Sequence, residues 1–152
     1  MTEIIKEVIT NSAEQTEEVG RELAEMLKND PKLPSFIALY GDLGVGKTAF
    51  VRGFTSVFSP NALVRSPTFA LVNEYPSTER RLFHFDMYRI TDEDDLYSIG
   101  YYDYLEDGIC LVEWSENIPY ALPDSYLRVT LSKPDIELEN MRSIKIESVS
   151  AQ

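Results

Sequence analysis

Residues 36–48 read Phe36-Ile37-Ala38-Leu39-Tyr40-Gly41-Asp42-Leu43-Gly44-Val45-Gly46-Lys47-Thr48. The first five form a continuous apolar run, the pattern of a short strand buried on both faces. The next eight satisfy G-x-x-x-x-G-K-[ST] in full. Glycines let the backbone turn sharply and bring its N–H groups close to an anion. A helix starting at Lys47 adds free N–H groups and the positive end of its dipole. Lys47 supplies a mobile charge for the outer phosphates, and Thr48 a hydroxyl for a magnesium ion. The alternative is a chance glycine turn before a helix. The strand–loop–helix context favours a nucleotide-binding phosphate loop, with candidate contacts from Gly41, Asp42, Leu43, Gly44, Val45, Gly46, Lys47, Thr48 and Ala49.

A phosphate loop needs a second magnesium ligand at the end of a neighbouring strand. Ile109-Cys110-Leu111-Val112-Glu113 has that form, four apolar residues followed by a carboxylate. Alone, Glu113 would read as an ordinary strand-end acid. Beside the loop it is a candidate metal ligand. His84-Phe85-Asp86-Met87-Tyr88-Arg89 is a third constellation. Alternation places His84, Asp86 and Tyr88 on one face of a strand, with Phe85 and Met87 on the other. An acid on a strand that otherwise looks buried is costly unless paired or used. Asp86 either orients an attacking water or binds magnesium through water, or it forms a structural ion pair with Arg89 or another arginine.

Outward from these motifs, Ile4–Ile9 suits a first strand. Asn11 or Ser12 caps a helix that ends near Asn29-Asp30-Pro31. The second helix runs from Lys47 to about Val57, and Ser59-Pro60-Asn61 is a loop. Phe69–Tyr75 and Arg81–Tyr88 read as strands joined by Pro76-Ser77-Thr78. Thr91 to about Leu105 is acidic and tyrosine-rich and reads as short helices capped by Thr91 or Asp92. That stretch is either a partner surface, since tyrosine is enriched at interfaces, or a solvated helical face with ordinary core tyrosines. Tyr126–Leu131 and Ser143–Val149 alternate and are expected as antiparallel strands at the sheet's edge. The alternation of strand and helix in the first two-thirds implies a parallel or mixed sheet covered by helices. With the phosphate loop, the expected fold is α/β, a three-layer P-loop NTPase-like arrangement with a mixed central sheet and helices on both faces. Residues 1–152 are expected to form one domain.

Composition narrows the function classes. Of the 152 residues, 43% are hydrophobic and 26% charged, which is ordinary for a globular protein. The formal charge of −12 argues against a bare nucleic-acid binder. One cysteine, Cys110, and one histidine, His84, exclude cysteine-cluster and paired-histidine metal sites. Cys110 lies in an apolar run and is expected to be a buried structural thiol. The N-terminus has no apolar core like that of a signal peptide, and no stretch approaches the ~20 apolar residues of a membrane span. The expected location is cytoplasmic, without a membrane partner.

Four motifs, the phosphate loop, Ser66-Pro67-Thr68-Phe69, His84-Phe85-Asp86-Met87-Tyr88-Arg89 and Leu111-Val112-Glu113-Trp114, stand in the order of one bacterial family. The chain resembles the TsaE (formerly YjeE) family of small ATPases of transfer-RNA threonylcarbamoyladenosine synthesis. The resemblance runs from the first helix to Pro123-Asp124. Val45 stands where that family usually has Ala, and Ala49 where it usually has Thr; neither position supplies an essential side chain. The resemblance implies Mg2+-dependent hydrolysis of ATP, slow without partners. It implies action with the tRNA threonylcarbamoyl transferase and that enzyme's inactive paralogue; the net charge of −12 fits a protein that leaves RNA contact to others. Thr48 and Glu113 match the family's magnesium ligands, Lys47 its phosphate-binding lysine and Asp86 a residue needed for hydrolysis. Ser66-Pro67-Thr68-Phe69 matches a switch-like segment, and Trp114 a tryptophan beside the active site.

Rival functions carry weaker signals. Ser132-Lys133-Pro134-Asp135 resembles the guanine-reading N-K-x-D, but Ser replaces Asn and no D-x-x-G follows the magnesium strand. Lys133 remains a candidate near the base. Arg80-Arg81 and Arg89 are too scattered for a kinase lid. A nucleotide switch that regulates a partner without hydrolysis would need nearly the same residues and stays open.

Overall fold

The computed structural model describes residues 1–41, 44–67 and 71–151. In chain order the strands are β1 (Thr2–Thr10), β2 (Phe36–Tyr40), β3 (Val72–Tyr75), β4 (Arg81–Asp86), β5 (Gly108–Glu113), β6 (Ser125–Ser132) and β7 (Arg142–Ser150). The helices are α1 (Ala13–Asn29), α2 (Lys47–Phe58), α3 (Glu93–Ser98) and α4 (Tyr101–Asp107), and two 3-10 turns, Ser115–Asn117 and Pro119–Ala121, follow β5. Among the described residues the strands make one mixed sheet in the order β1-β7-β6-β2-β5-β4-β3. The α/β three-layer expectation holds, with α1 and α2 on one face and α3 and α4 on the other.

β2 lies at the centre, parallel to both β5 and β6. Its Ile37 and Leu39 join the core under α1 and α2, while Phe36 and Ala38 join the core under α3 and α4. Both faces are covered, which is why the sequence shows an unbroken apolar run there. α1 begins with reciprocal capping: Ser12 Oγ accepts from the Gln15 amide at 3.1 Å, and Gln15 Oε1 accepts from the Asn11 amide at 2.7 Å. α1 packs on α2 at glycines from both helices. A Cβ on Gly20 would lie 2.1 Å from the Phe50 carbonyl oxygen, and one on Gly53 would lie 1.8 Å from that of Glu17. The two backbones are in direct contact.

Three expectations about strands change. β6 and β7 are antiparallel to each other, but β6 is interior, parallel to β2, and β1 forms the edge. β6 alternates because only one of its faces is covered: Leu127, Val129 and Leu131 sit under α1 and α2. Its other face carries Arg128, paired with Glu147 of β7 at 3.0 and 3.3 Å. The strand expected from Phe69 starts at Val72. Leu71 stands at φ 69°, off the extended region, with its amide bonded to the Pro67 carbonyl at 2.8 Å. Phe69 and Ala70 lie outside the described residues.

β4 ends at Asp86 rather than Tyr88, because the Asp86 carboxylate accepts from the Tyr88 amide at 2.9 Å and turns the chain. Tyr88 therefore leaves the face of His84 and Asp86; it is 50% exposed and packs against Trp114, ring centroids 4.9 Å apart and planes tilted by 54°. Cys110 is buried in β5, and burial pushes its thiol up to about 12. Among the described residues, no helix is long and apolar enough to cross a membrane.

Candidate phosphate and cation site

β2 delivers the chain to Gly41, and α2 starts at Lys47. Gly46 occupies the cap position of α2 at φ 96°, a conformation that disfavours any residue with a Cβ. Unlike Ser12 at α1, it offers no side-chain oxygen to the first-turn amides, and that turn carries no acid. The N–H groups and positive dipole end of α2 are thus left for an external anion. Asp42 and Leu43 of the loop lie outside the described residues.

Gly44, Gly46, Lys47, Thr48, Ser66, Glu113 and Arg142 line one cleft of about 420 Å³. The structure therefore brings together Lys47 and Thr48 from α2, Glu113 from the end of β5 and Ser66 from the segment before β3. Val45 and Ala49 flank the cleft residues; Ala49 lines an adjoining recess with Ser12, Thr16, Gly46 and Arg142. Pro67 anchors the Leu71 turn, whereas Thr68 and Phe69 lie outside the described residues. Lys133 lines a different groove, with Tyr40, Gly41, Val45 and Glu116.

Lys47 is only 5% exposed. Its Nζ donates to the Gly41 carbonyl at 2.7 Å and lies 4.2 Å from the centroid of the Trp114 ring. Trp114 itself adopts φ 58°, an unusual value for a large side chain. In this conformation the indole lies against the lysine, with Tyr88 packed on the ring as well.

Asp86 and Glu113 are register partners at the ends of parallel β4 and β5, 5% and 4% exposed. Two buried carboxylates side by side favour a nearby cation. Glu113 and the Thr48 hydroxyl offer hard oxygen donors to the same cleft. Among the described residues, no group of three or more His, Cys, Asp or Glu could hold a metal alone. That donor set fits magnesium, which is held by one or two protein oxygens together with substrate phosphate.

Three residues here escaped the reading of the sequence as site members. His84 is fully buried, and its Nε2 bonds Glu113 Oε2. Arg142, at the start of β7, donates from Nη2 to the Gly44 carbonyl at 3.2 Å, and its Nε is buried without a hydrogen-bond partner among the described residues. Glu116 accepts from the Gly41 amide at 3.2 Å. His84 stood inside a quoted motif, so its position was a usable signal; Arg142 and Glu116 had none.

Comparison with known proteins places the chain among its relatives. A family model described as "Threonylcarbamoyl adenosine biosynthesis protein TsaE" matches residues 10–144. A tRNA threonylcarbamoyladenosine biosynthesis protein TsaE of Aquifex aeolicus is 43% identical over 117 residues, 75% of this chain and 80% of that one. The protein of the same name from Haemophilus influenzae is 38% identical over 118 residues, 76% of this chain and 75% of that one. The crystal structure of YdiB from Bacillus subtilis superposes with a TM-score of 0.74 at 28% identity, covering 99% of this chain and 88% of that one.

Proposed function

Because the chain belongs to the TsaE family of threonylcarbamoyladenosine biosynthesis proteins, we propose that it is a magnesium-dependent ATPase serving that modification of transfer RNA beside the anticodon. The family carries the pathway and a nucleotide-binding loop. The ATPase reading rests on one observation above all: Thr48, Glu113 and Lys47 line the same cleft at the uncapped start of α2.

In this reading, the loop amides and Lys47 bind the β- and γ-phosphates, and Arg142 adds a second positive charge beside Gly44. Thr48 and Glu113 hold magnesium, which when bound neutralises charge on the outer phosphates. Asp86, fixed by the Tyr88 amide through one oxygen, orients the attacking water with the other. Water adds to the γ-phosphorus as the bond to the bridging β-phosphate oxygen breaks, the water's proton passes to the released phosphate, and ADP and phosphate leave. Trp114 screens Lys47 from solvent on one side.

The natural partners are the threonylcarbamoyl transferase and its inactive paralogue, with slow turnover in their absence. The test is phosphate release from ATP, alone and with those two proteins, with and without Mg2+ and with GTP in competition. Tight ATP binding with no phosphate release under any of these conditions would replace the ATPase with a nucleotide switch.

A further inference from the structure

The buried face of the sheet carries a hydrogen-bond chain that the proposed ATPase chemistry leaves unexplained. The Glu113 carboxylate can only accept, so His84 donates to it from Nε2. His84 Nδ1 lies 2.9 Å from the Tyr75 hydroxyl, and that hydroxyl also lies 3.2 Å from the Arg65 carbonyl oxygen. Asn73 donates to the same carbonyl at 3.2 Å. Burial raises the Tyr75 phenol above its ordinary value, which keeps it a donor. Tyr75 thus has one proton and two acceptors, His84 and Arg65. Arg65 precedes Ser66, which lines the cleft with Glu113. The same segment is held further on by the bonds from Leu71 to Pro67 at 2.8 Å and from Asp86 to Leu71 at 3.1 Å.

We propose that His84 is a positioning residue that fixes the Glu113 carboxylate for the cation and, through Tyr75, ties the state of that carboxylate to the backbone at Arg65–Pro67. This rests on the assignment of Glu113 to magnesium. Buried hydrogen bonds polarise one another in series, so drawing Glu113 toward a cation changes the hold of His84 on the Tyr75 proton. The hold of Tyr75 on Arg65 changes with it. Partners behind a metal ligand commonly set its orientation and affinity.

The test compares wild type, His84→Asn, His84→Gln and Tyr75→Phe. Mg2+ is titrated at fixed, saturating ATP, with Trp114 emission as readout, and amide exchange is followed at Ser66 and Leu71. Asn reaches the Nδ1 position but not Glu113; Gln reaches the Nε2 position. His84→Asn should raise the half-saturating Mg2+ concentration about tenfold or more, and His84→Gln should return it to within about threefold of wild type. Tyr75→Phe should keep it within about threefold yet lose the slowing of Ser66 and Leu71 exchange that Mg2+ and ATP produce in wild type.

Equal shifts in the two His84 variants would reduce His84 to packing and overturn the proposal. So would retained exchange protection in Tyr75→Phe, which decides alone if the His84 variants do not fold. If wild type shows no response to Mg2+ and ATP, the phosphate-loop reading itself falls, and the proposal with it.

Discussion

Lys47 Nζ sits 4.2 Å from the centroid of the Trp114 ring, so the phosphate-loop lysine of α2 rests on the indole that follows Glu113. A cation over an indole face gains electrostatic attraction, and in the proposed function incoming phosphates compete for the same ammonium. Trp114 is the only tryptophan, so its emission should change on addition of ATP. Lys47→Ala should weaken ATP binding by about 1.5–3 kcal/mol, the scale of a charge-assisted hydrogen bond. Calorimetry giving wild-type affinity in the folded variant would remove Lys47 from the phosphate site.

Asp86→Asn separates binding from chemistry. If the carboxylate acts on water, the variant keeps ATP affinity within about threefold and loses roughly a hundredfold or more of the hydrolysis rate. A lower melting temperature with normal turnover in the folded fraction would instead make Asp86 a structural residue. Melting curves and turnover on the same samples distinguish the two outcomes.

Arg142→Ala tests the second cation of the cleft. It removes the donor to the Gly44 carbonyl and, in the proposed function, a charge beside the phosphates. ATP affinity should fall by about 1.5–3 kcal/mol. Arg142→Lys should recover only part, because an ammonium lacks the planar fork that reaches two acceptors. Full recovery by lysine, measured by calorimetry, would reduce the role to charge alone.

Alkaline pH should unfold the chain through its buried weak acids. Burial pushes the Cys110 thiol and the Tyr40 phenol up to about 12, and raises the Tyr101 phenol as well. These folded values exceed the unfolded ones, so their contribution is complete below the ordinary thiol and phenol range. It is lost as pH rises through that range toward about 12, because the unfolded chain then binds fewer protons. Melting temperature should fall over that window, less steeply in Tyr101→Phe. Cys110 should resist alkylation at neutral pH until the protein is denatured.

Transfer RNA should not bind the isolated chain. At a formal charge of −12 the surface is unfavourable for a polyanion. At ~150 mM salt, where screening confines attraction and repulsion alike to about 8 Å, binding would need a local basic surface to outweigh the acidic one. Gel mobility and Trp114 emission should be unaffected by transfer RNA until the partner proteins are added. A micromolar complex with the chain alone would point to a direct role on RNA.

The parts of the site legible in the sequence were those whose determinants are local. The strand–loop–helix around Gly41–Thr48 declares itself within thirteen consecutive residues, and Glu113 by the apolar run before it. Parts that depend on register were hidden. His84 meets Glu113 across 29 residues and Arg142 meets Gly44 across 98, distances over which no periodicity carries information. The interior place of β6 was masked because half-covered and edge strands alternate alike. The short reach of β4 followed from a single Asp86 side chain turning the backbone.

The contact of Gly20 and Gly53 with the facing backbones bears on where information leaves this molecule. At these two glycines main chain meets main chain with no side chain between them, so α2 is expected to stay fixed on α1 and to act as the steady jaw of the cleft. If the cleft binds nucleotide as proposed, a displacement that distinguishes one nucleotide state from another is expected on the opposite jaw: Trp114 with its Tyr88 neighbour, and the Arg65–Pro67 backbone. A partner that senses the nucleotide should therefore dock against that side of the cleft, and substitutions on the outer surface of α1 should leave its sensing intact.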